Sequence, residues 1–108
     1  MIYIINKDNR KYINNLLLNE KKIIVLYYSL DCGYCKELLP LWIRLIKKYK
    51  KHKIKIVNVE NNNIKYLKKK LKEKINGYPT IIRYSKGDIV EEFINIKNYK
   101  NLKKFIEK

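Results

Sequence analysis

Apolar and polar positions change periodicity along the chain in a way that predicts strands and helices in turn. A short apolar run at 2–5 is typical of an edge strand, and the continuous apolar run at 23–29 is typical of a strand buried on both faces. Strands are predicted, in chain order, at 2–5, 23–29, 54–59, 80–84 and 89–94. The turn Ser85-Lys86-Gly87-Asp88 joins the last two strands as a hairpin.

Helical spacing fills the intervals between these strands. Helices are predicted at about 9–19, from Cys32 to about 51, at 63–75 and at 99–107. Asp8 and Asn98 are the expected capping residues of the first and last helix, and Pro40 lies inside the second. The order β-α-β-α-β-α-β-β-α predicts one α/β domain over 1–108. Its central mixed sheet has a parallel part and an antiparallel edge, with helices on both faces.

The charge balance is strongly basic, with a net charge of +16 and 23 lysines against three arginines. Such a charge attracts nucleic acids, anionic membranes and acidic proteins. However, Lys, Asn, Ile and Tyr have A/T-rich codons and are abundant, whereas Ala and Gln are absent. We therefore attribute the charge to an A/T-rich genome, such as that of a virus or protist. The lysines lie along every segment without a binding motif, so we expect no specific nucleic-acid partner.

Targeting signals are not recognisable in the sequence. Residues 1–7 lack the pattern of a secretory signal, and the last four residues are not an endoplasmic-reticulum retention signal. Apolar runs also fall short of the length needed to cross a bilayer, so we expect no membrane partner. The expected location is the cytoplasm, or the virion if the protein is viral.

Both cysteines of the chain lie in the motif Cys32-Gly33-Tyr34-Cys35, between a buried strand and the first turn of a helix. Free backbone N–H groups and the positive end of the helix dipole stabilise a thiolate at this position. The second cysteine follows one turn later, where it can attack a mixed disulfide formed by the first. The spacing therefore predicts a redox-active Cys32–Cys35 pair that needs no further cofactor.

Two other uses of the cysteine pair are possible. A zinc site within one chain needs two further ligands, yet the sequence has no other cysteine and only one histidine, His52. We expect no metal, although a site shared between two subunits is left open. An inert disulfide would close too small a loop to stabilise the fold appreciably.

At this point the chain resembles the thioredoxin superfamily, and in particular the catalytic domains of protein disulfide isomerases. Residues 32–42, which include both cysteines, Pro40 and Trp42, resemble the isomerase active-site segment. Gly77-Tyr78-Pro79-Thr80-Ile81 resembles the segment that precedes the family's hairpin. The resemblance spans nearly the whole chain, and these two segments are its specific part.

The resemblance implies a substrate groove beside the dithiol. It implies that Tyr78-Pro79 is a cis peptide bond facing the cysteines and that the adjacent backbone pairs with the substrate polypeptide. Tyr34 and Tyr78 would then flank the groove. Cys32 is the expected nucleophile and Cys35 the expected resolving thiol.

Four positions depart from the family's pattern. Leu26 stands where family members commonly bury an acid, so release of the mixed disulfide is expected to be slower. Asp31 replaces a tryptophan next to Cys32 and should raise the pKa of that thiol. Tyr34 replaces the isomerase histidine, and Lys97 aligns with a loop arginine. Together these changes predict a weaker oxidant than the isomerases.

The function expected from the sequence is a thiol–disulfide oxidoreductase that acts on protein disulfides. Its partners are protein thiols and disulfides, and an upstream dithiol donor or acceptor. The motif leaves the direction of electron flow open, whereas Gly33-Tyr34 and Gly77-Tyr78-Pro79 disfavour a glutaredoxin. Two alternatives belong to other classes: a redox-impaired binding module with the same fold, and a polyanion-binding protein.

Overall fold

The chain folds into a five-stranded mixed sheet with helices on both faces, as the sequence predicts. A computed structural model describes residues 1–73 and 75–108. The strands are β1 (Ile2–Ile4), β2 (Ile23–Tyr28), β3 (Lys55–Glu60), β4 (Thr80–Ser85) and β5 (Asp88–Glu92). The helices are α1 (Arg10–Asn19), α2 (Gly33–Ile46), α3 (Lys69–Lys72) and α4 (Tyr99–Glu107). The sheet order is β1-β3-β2-β4-β5, so β1 is an edge strand as expected.

Strand β2 lies at the centre of the sheet and is buried on both faces. It pairs in parallel with β3 and antiparallel with β4. Ile24 and Leu26 face a core that is covered by α2 and α4, while Val25 and Tyr27 face a second core under α1 and α3. The continuous apolar run in the sequence reflects this double burial.

The predicted helix at 63–75 is wrong over most of its length. A 3₁₀ helix occupies 61–66 and α3 is limited to Lys69–Lys72, while Lys74 lies outside the described residues. Asn14 of α1 accounts for the break: its amide donates to the carbonyl of Tyr66 and accepts from the N–H of Lys68, both at 2.8 Å. These backbone groups therefore bond to a buried side chain instead of to a continuous helix.

The ends of the other helices also differ in part from the prediction. Asn9, not Asp8, occupies the position before α1, and the side chain of Asn6 accepts from the N–H groups of both residues. Helix α2 runs through Pro40 and ends at Ile46, followed by a 3₁₀ turn at 47–49. Asn98 caps α4 as predicted, since its side chain accepts from the N–H of Asn101 at 2.8 Å.

The hairpin between β4 and β5 turns at Lys86 and Gly87, which both have positive φ angles, of 50° and 84°. This is the conformation of a tight two-residue hairpin turn. The φ angle of Gly87 favours glycine, and a Cβ at this position would in addition lie 3.0 Å from a terminal methyl group of Leu18, which would have to shift. Within the described residues, no helix is long and apolar enough to span a bilayer.

The topology defines two opposite ends of the sheet. Parallel strands β2 and β3 run towards the end where α2 begins, and β4 starts at that same end because it is antiparallel to β2. The motif at 32–35 and the segment preceding β4 therefore meet there. We refer to this as the dithiol end and to the other as the opposite end.

Candidate active site

Cys32 occupies the capping position at the start of α2. Its backbone is extended, with φ −95° and ψ 124°, and the helix begins at the next residue, Gly33. The sulfur of Cys32 accepts a hydrogen bond from the N–H of Cys35 at 3.3 Å. One of the free N–H groups of the helix start is thus directed at the sulfur, as the sequence predicts.

The pKa of the Cys32 thiol is lowered from its ordinary value of 9.0. The cause is hydrogen bonding to the sulfur, first from the side chain of Cys35, then from its N–H, with a smaller contribution from the N–H of Tyr34. We expected Asp31 to raise this pKa, and that expectation is wrong. The exposed carboxylate of Asp31 is not among the groups that shift the thiol, whose pKa moves downward.

Cys35 is fully buried, and its thiol behaves in the opposite way. Burial raises its pKa to about 11, and the sulfur of Cys32 adds to the increase. The N–H of Ser29 lies 3.5 Å from the sulfur of Cys35, and the charge of Lys97 acts on the same thiol; both oppose the increase. Both cysteines are free thiols, so the structure represents the reduced dithiol.

The segment before β4 lies against the dithiol. The Tyr78–Pro79 peptide bond is cis, as the resemblance implied. The thiol of Cys32 donates to the carbonyl of Tyr78 at 3.5 Å. Thr80 fixes the loop from its other side, since its hydroxyl donates to the carbonyl of Gly77 at 2.7 Å. Backbone groups of this loop therefore lie within reach of a substrate attached to Cys32.

A shallow groove adjoins the dithiol, and the three predicted substrate-binding residues all line it. Tyr34, Tyr78 and Pro79 share this groove with Glu37, Leu38 and Lys97. The ring of Tyr34 is 77% exposed, so it is free to contact a bound polypeptide. The structure thus brings together every site residue predicted from the sequence.

Position 26 of β2, which lies beneath α2, is occupied by leucine and not by an acid. Leu26 is fully buried and belongs to the same apolar cluster as Leu38 and Trp42. Its partner in the register with β3 is Asn58, which is also buried and accepts from the indole N–H of Trp42 at 2.8 Å. The polar group nearest in register to Leu26 is therefore an uncharged amide that is already bonded.

Ser29 is a site residue that we did not single out in the sequence. Besides its N–H contact with Cys35, its carbonyl accepts from the N–H of Cys32 and its hydroxyl accepts from the N–H of Asp31, both at 3.3 Å. It thereby fixes the turn that leads from β2 into the motif. The available signal was a small polar residue at the end of an otherwise apolar strand. Across residues 1–73 and 75–108, no group of three or more potential metal ligands comes together.

The arrangement matches a known family. The family model described as Thioredoxin matches residues 3–108. The chain belongs to the thioredoxin family. This is a family of thiol–disulfide oxidoreductases, and the expected mixed sheet with helices on both faces is its fold.

Individual relatives include both thioredoxins and protein disulfide isomerases. Mitochondrial thioredoxin of Bos taurus is 26% identical over 102 residues, which cover 94% of this chain and 60% of that protein. Protein disulfide-isomerase 1 of Caenorhabditis elegans is 28% identical over 95 residues, which cover 87% of this chain and 19% of the isomerase. The chain therefore spans three-fifths or less of these relatives.

Among solved structures, the oxidised thioredoxin of Plasmodium falciparum is similar in fold, with a TM-score of 0.70 and 23% identity. The match covers 99% of this chain and 96% of that one.

Proposed function

We propose that this chain is a dithiol oxidoreductase of protein disulfides, in which Cys32 attacks and Cys35 resolves. The observation that carries the proposal is the opposite shift of the two thiols' pKa values, with the N–H of Cys35 directed at the sulfur of Cys32. The partly exposed thiol is the more acidic, and the buried thiol is held protonated until it is needed.

The reduction of a substrate disulfide follows from this geometry in two exchanges. The thiolate of Cys32 attacks one sulfur of the substrate, forms a mixed disulfide and releases the other substrate sulfur as a thiolate, which takes up a proton. Cys35 then loses its proton and attacks the sulfur of Cys32. This step forms the Cys32–Cys35 disulfide and releases the second substrate thiol, so two electrons pass from the protein to the substrate.

Substrate binding is assigned to the groove beside Cys32. An extended polypeptide can bond to backbone groups of the Tyr78–Pro79 loop, while its side chains contact the rings of Tyr34 and Tyr78. Recognition through the main chain tolerates many sequences, which suits an enzyme that acts on varied protein disulfides.

The direction of electron flow is proposed to favour reduction. The contacts that lower the pKa of Cys32 come from Cys35 and from the N–H of Tyr34, and the isomerase histidine is absent from position 34. A less stabilised thiolate makes the dithiol a better reductant. Equilibration with glutathione tests this proposal. We expect a potential more negative than that of the isomerases, which is about −180 mV, and a value at or above it would refute the proposal.

A second candidate function is a binding module that keeps the fold and the groove but turns over slowly. It is favoured by Leu26, because the core beneath α2 offers no acid there to accept the proton of Cys35. On this view Cys32 forms mixed disulfides that Cys35 seldom releases.

Reduction of insulin disulfides by dithiothreitol distinguishes the two functions. The oxidoreductase predicts multiple turnovers by the wild type and loss of turnover in Cys32→Ser and in Cys35→Ser. Absence of turnover by the wild type, with both thiols free by titration, would instead support the binding module. Leu26→Asp then tests the cause, since it should accelerate release of the mixed disulfide while lowering stability.

A further inference from the structure

The lysines that are scattered along the sequence are gathered by the fold at the opposite end of the sheet. Four segments meet at this end: the residues before β2, those between α2 and β3, the hairpin turn, and the end of α4. They comprise residues 20–22, 47–55, 86–88 and 107–108. Ten of these 17 residues are lysine and three are acidic. We call this surface the lysine end.

Direct contacts join these segments into one surface. Lys21 and Lys22 line a shallow depression together with Lys53. The N–H of Lys86 donates to the carbonyl of Glu20 at 2.7 Å, and the ammonium group of Lys22 donates to the backbone oxygen of Lys108 at 3.0 Å. The positive charges are therefore neighbours in space although they are up to 87 positions apart in the sequence.

The acidic residues of the lysine end are already paired. Glu20 forms an ion pair with Lys55 at 3.1 Å. Asp88 forms an ion pair at 2.9 Å with Lys70, which is a residue of α3. Glu107 binds Lys103 at 3.3 Å. Lysines such as Lys50, Lys51 and Lys53 are exposed, so their charge is directed to solvent and to any anionic partner.

The dithiol end carries a different charge balance. The segments that flank Cys32 and the Tyr78–Pro79 loop are 5–9, 29–37, 60–66, 75–79 and 93–98, and they contain four lysines and four acidic residues. The lysines of 68–72, on the connection between β3 and β4, lie outside this count. The net charge of +16 is thus distributed unevenly between the two ends. A uniform effect of genome composition does not account for this separation, since both ends are drawn from the same chain.

We propose that the lysine end is a docking surface for an anionic membrane, a bilayer rich in lipids such as phosphatidylserine. Clustered lysines bind such surfaces without sequence-specific contacts, and each adds to the attraction within a Debye length of about 8 Å. The segments contribute flexible point charges across the end of a molecule that measures 31 × 31 × 23 Å, which suits a planar array of headgroups.

Other features of the surface favour lipid headgroups over nucleic acid. The exposed tyrosines Tyr12 and Tyr34 lie on α1 and in the motif, away from the lysine end. The exposed ring within the lysine end is the imidazole of His52, which packs edge-on against Tyr49 at 5.6 Å, so bases meet one imidazole there instead of a row of stacking rings. Two arginines are engaged elsewhere: Arg83 binds Glu91, and Arg44 lies over the ring of Tyr99. The lysine end therefore offers point charges but neither arginines nor a row of exposed aromatic rings, which are the groups best suited to nucleic-acid recognition.

Docking by this end leaves the redox site free. Cys32 lies at the other end of the sheet, so a docked molecule directs its dithiol away from the bilayer and towards soluble substrates. The expectation of no membrane partner considered bilayer-spanning segments and lysine positions along the sequence, and our proposal departs from it on the ground of where the fold places the lysines. The proposal does not depend on the activity of the dithiol.

Vesicle binding by two charge-matched variants tests the proposal. The first carries Lys50→Glu, Lys51→Glu and Lys53→Glu at the lysine end. The control carries Lys7→Glu, Lys11→Glu and Lys65→Glu, which are exposed positions outside the lysine end. Binding is measured by co-sedimentation at 100 mM salt with vesicles of 30% phosphatidylserine in phosphatidylcholine, with pure phosphatidylcholine vesicles and duplex DNA as comparisons.

We expect the wild type to bind the anionic vesicles and not the neutral ones. The first variant should lose at least about 100-fold in affinity, because each lysine near an anionic surface contributes roughly fivefold and the introduced glutamates are also repelled. The control should lose less than about threefold, and maleimide should label Cys32 equally fast in free and vesicle-bound protein.

Three results would overturn the proposal: no binding of the wild type, equal losses in both variants, or tighter binding to DNA than to vesicles. Insulin reduction is measured on the same variants and should be unchanged. Loss of that activity in the wild type would contradict the proposed function without affecting the docking surface.

Discussion

The two thiols of the motif should differ strongly in reactivity towards an alkylating agent. With a pKa of about 11 for Cys35, roughly one in 10,000 of these thiols is ionised at pH 7. The pKa of Cys32 lies below 9.0, so at least about one in 100 of its thiols is ionised. Because the thiolate is the reactive form, Cys32 should be alkylated at least about 100-fold faster.

A pulse of iodoacetamide on the reduced protein measures this ratio. Trypsin leaves both cysteines in one peptide, so fragmentation in the mass spectrometer assigns the label to Cys32 or Cys35. The same pulse in concentrated guanidinium is the control, and there the two residues should be labelled at similar rates. Similar labelling of both thiols in the folded protein would refute the assignment of Cys32 as nucleophile.

Three further predictions concern stability. Tyr84→Phe removes one hydroxyl of a buried pair that joins Tyr27 at 2.8 Å, so urea denaturation should show a loss of about 1 kcal/mol; an unchanged midpoint would contradict it. Asn58→Ala leaves the indole N–H of Trp42 without its buried partner, so calorimetry should show a free energy of unfolding lower by about 1–3 kcal/mol. An unchanged free energy of unfolding would contradict this hydrogen bond. The raised pKa of Cys35 favours the folded state while the thiol is protonated, so this contribution is present below pH 9 and is lost as the pH rises towards about 11. The stability difference between reduced wild type and Cys35→Ala should therefore change over that interval, and a constant difference would contradict the assignment.

Much of the fold could be predicted from local patterns, because they reflect burial directly. The apolar run of β2 indicates a strand buried on both faces, and Lys86-Gly87 indicates a tight hairpin turn, so each could be predicted from a few neighbouring residues. The helix expected at 63–75 failed for the opposite reason. Its interruption depends on Asn14, about 50 residues earlier in the chain, which bonds to backbone groups on either side of Leu67. Spacing of apolar residues contains no information about such a contact.

In the candidate site too, some features could be predicted from local sequence, whereas others depend on contacts that the sequence does not show. The Cys32–Cys35 pair was predicted from its spacing, the cis bond before Pro79 was implied by the family resemblance, and the structure places the two together. Ser29 contacts both cysteines through its backbone N–H and carbonyl, which every residue except proline has. The identity of its side chain therefore said little about this role. The effect assigned to Asp31 failed because adjacency in sequence does not fix where an exposed side chain lies relative to a sulfur.

The gathering of lysines at one end of the sheet could not be recognised from the sequence. The charges come from the residues before β2, the stretch between α2 and β3, the hairpin turn and the end of α4. Each of these segments is unremarkable in a lysine-rich chain. Only the topology, which returns each of them to the same end, makes them one surface.

Covalent trapping of a substrate shows whether Cys32 attacks and Cys35 resolves. A Cys35→Ser variant is incubated with a peptide that carries one disulfide, and the intact mass of the protein is then measured without reductant. We predict a stable adduct of the peptide on Cys32 of this variant and no adduct in Cys32→Ser. In the wild type the adduct should be transient, and the protein should end as the Cys32–Cys35 disulfide. An adduct that accumulates equally in the wild type, or none in Cys35→Ser, would contradict attack by Cys32 followed by resolution by Cys35.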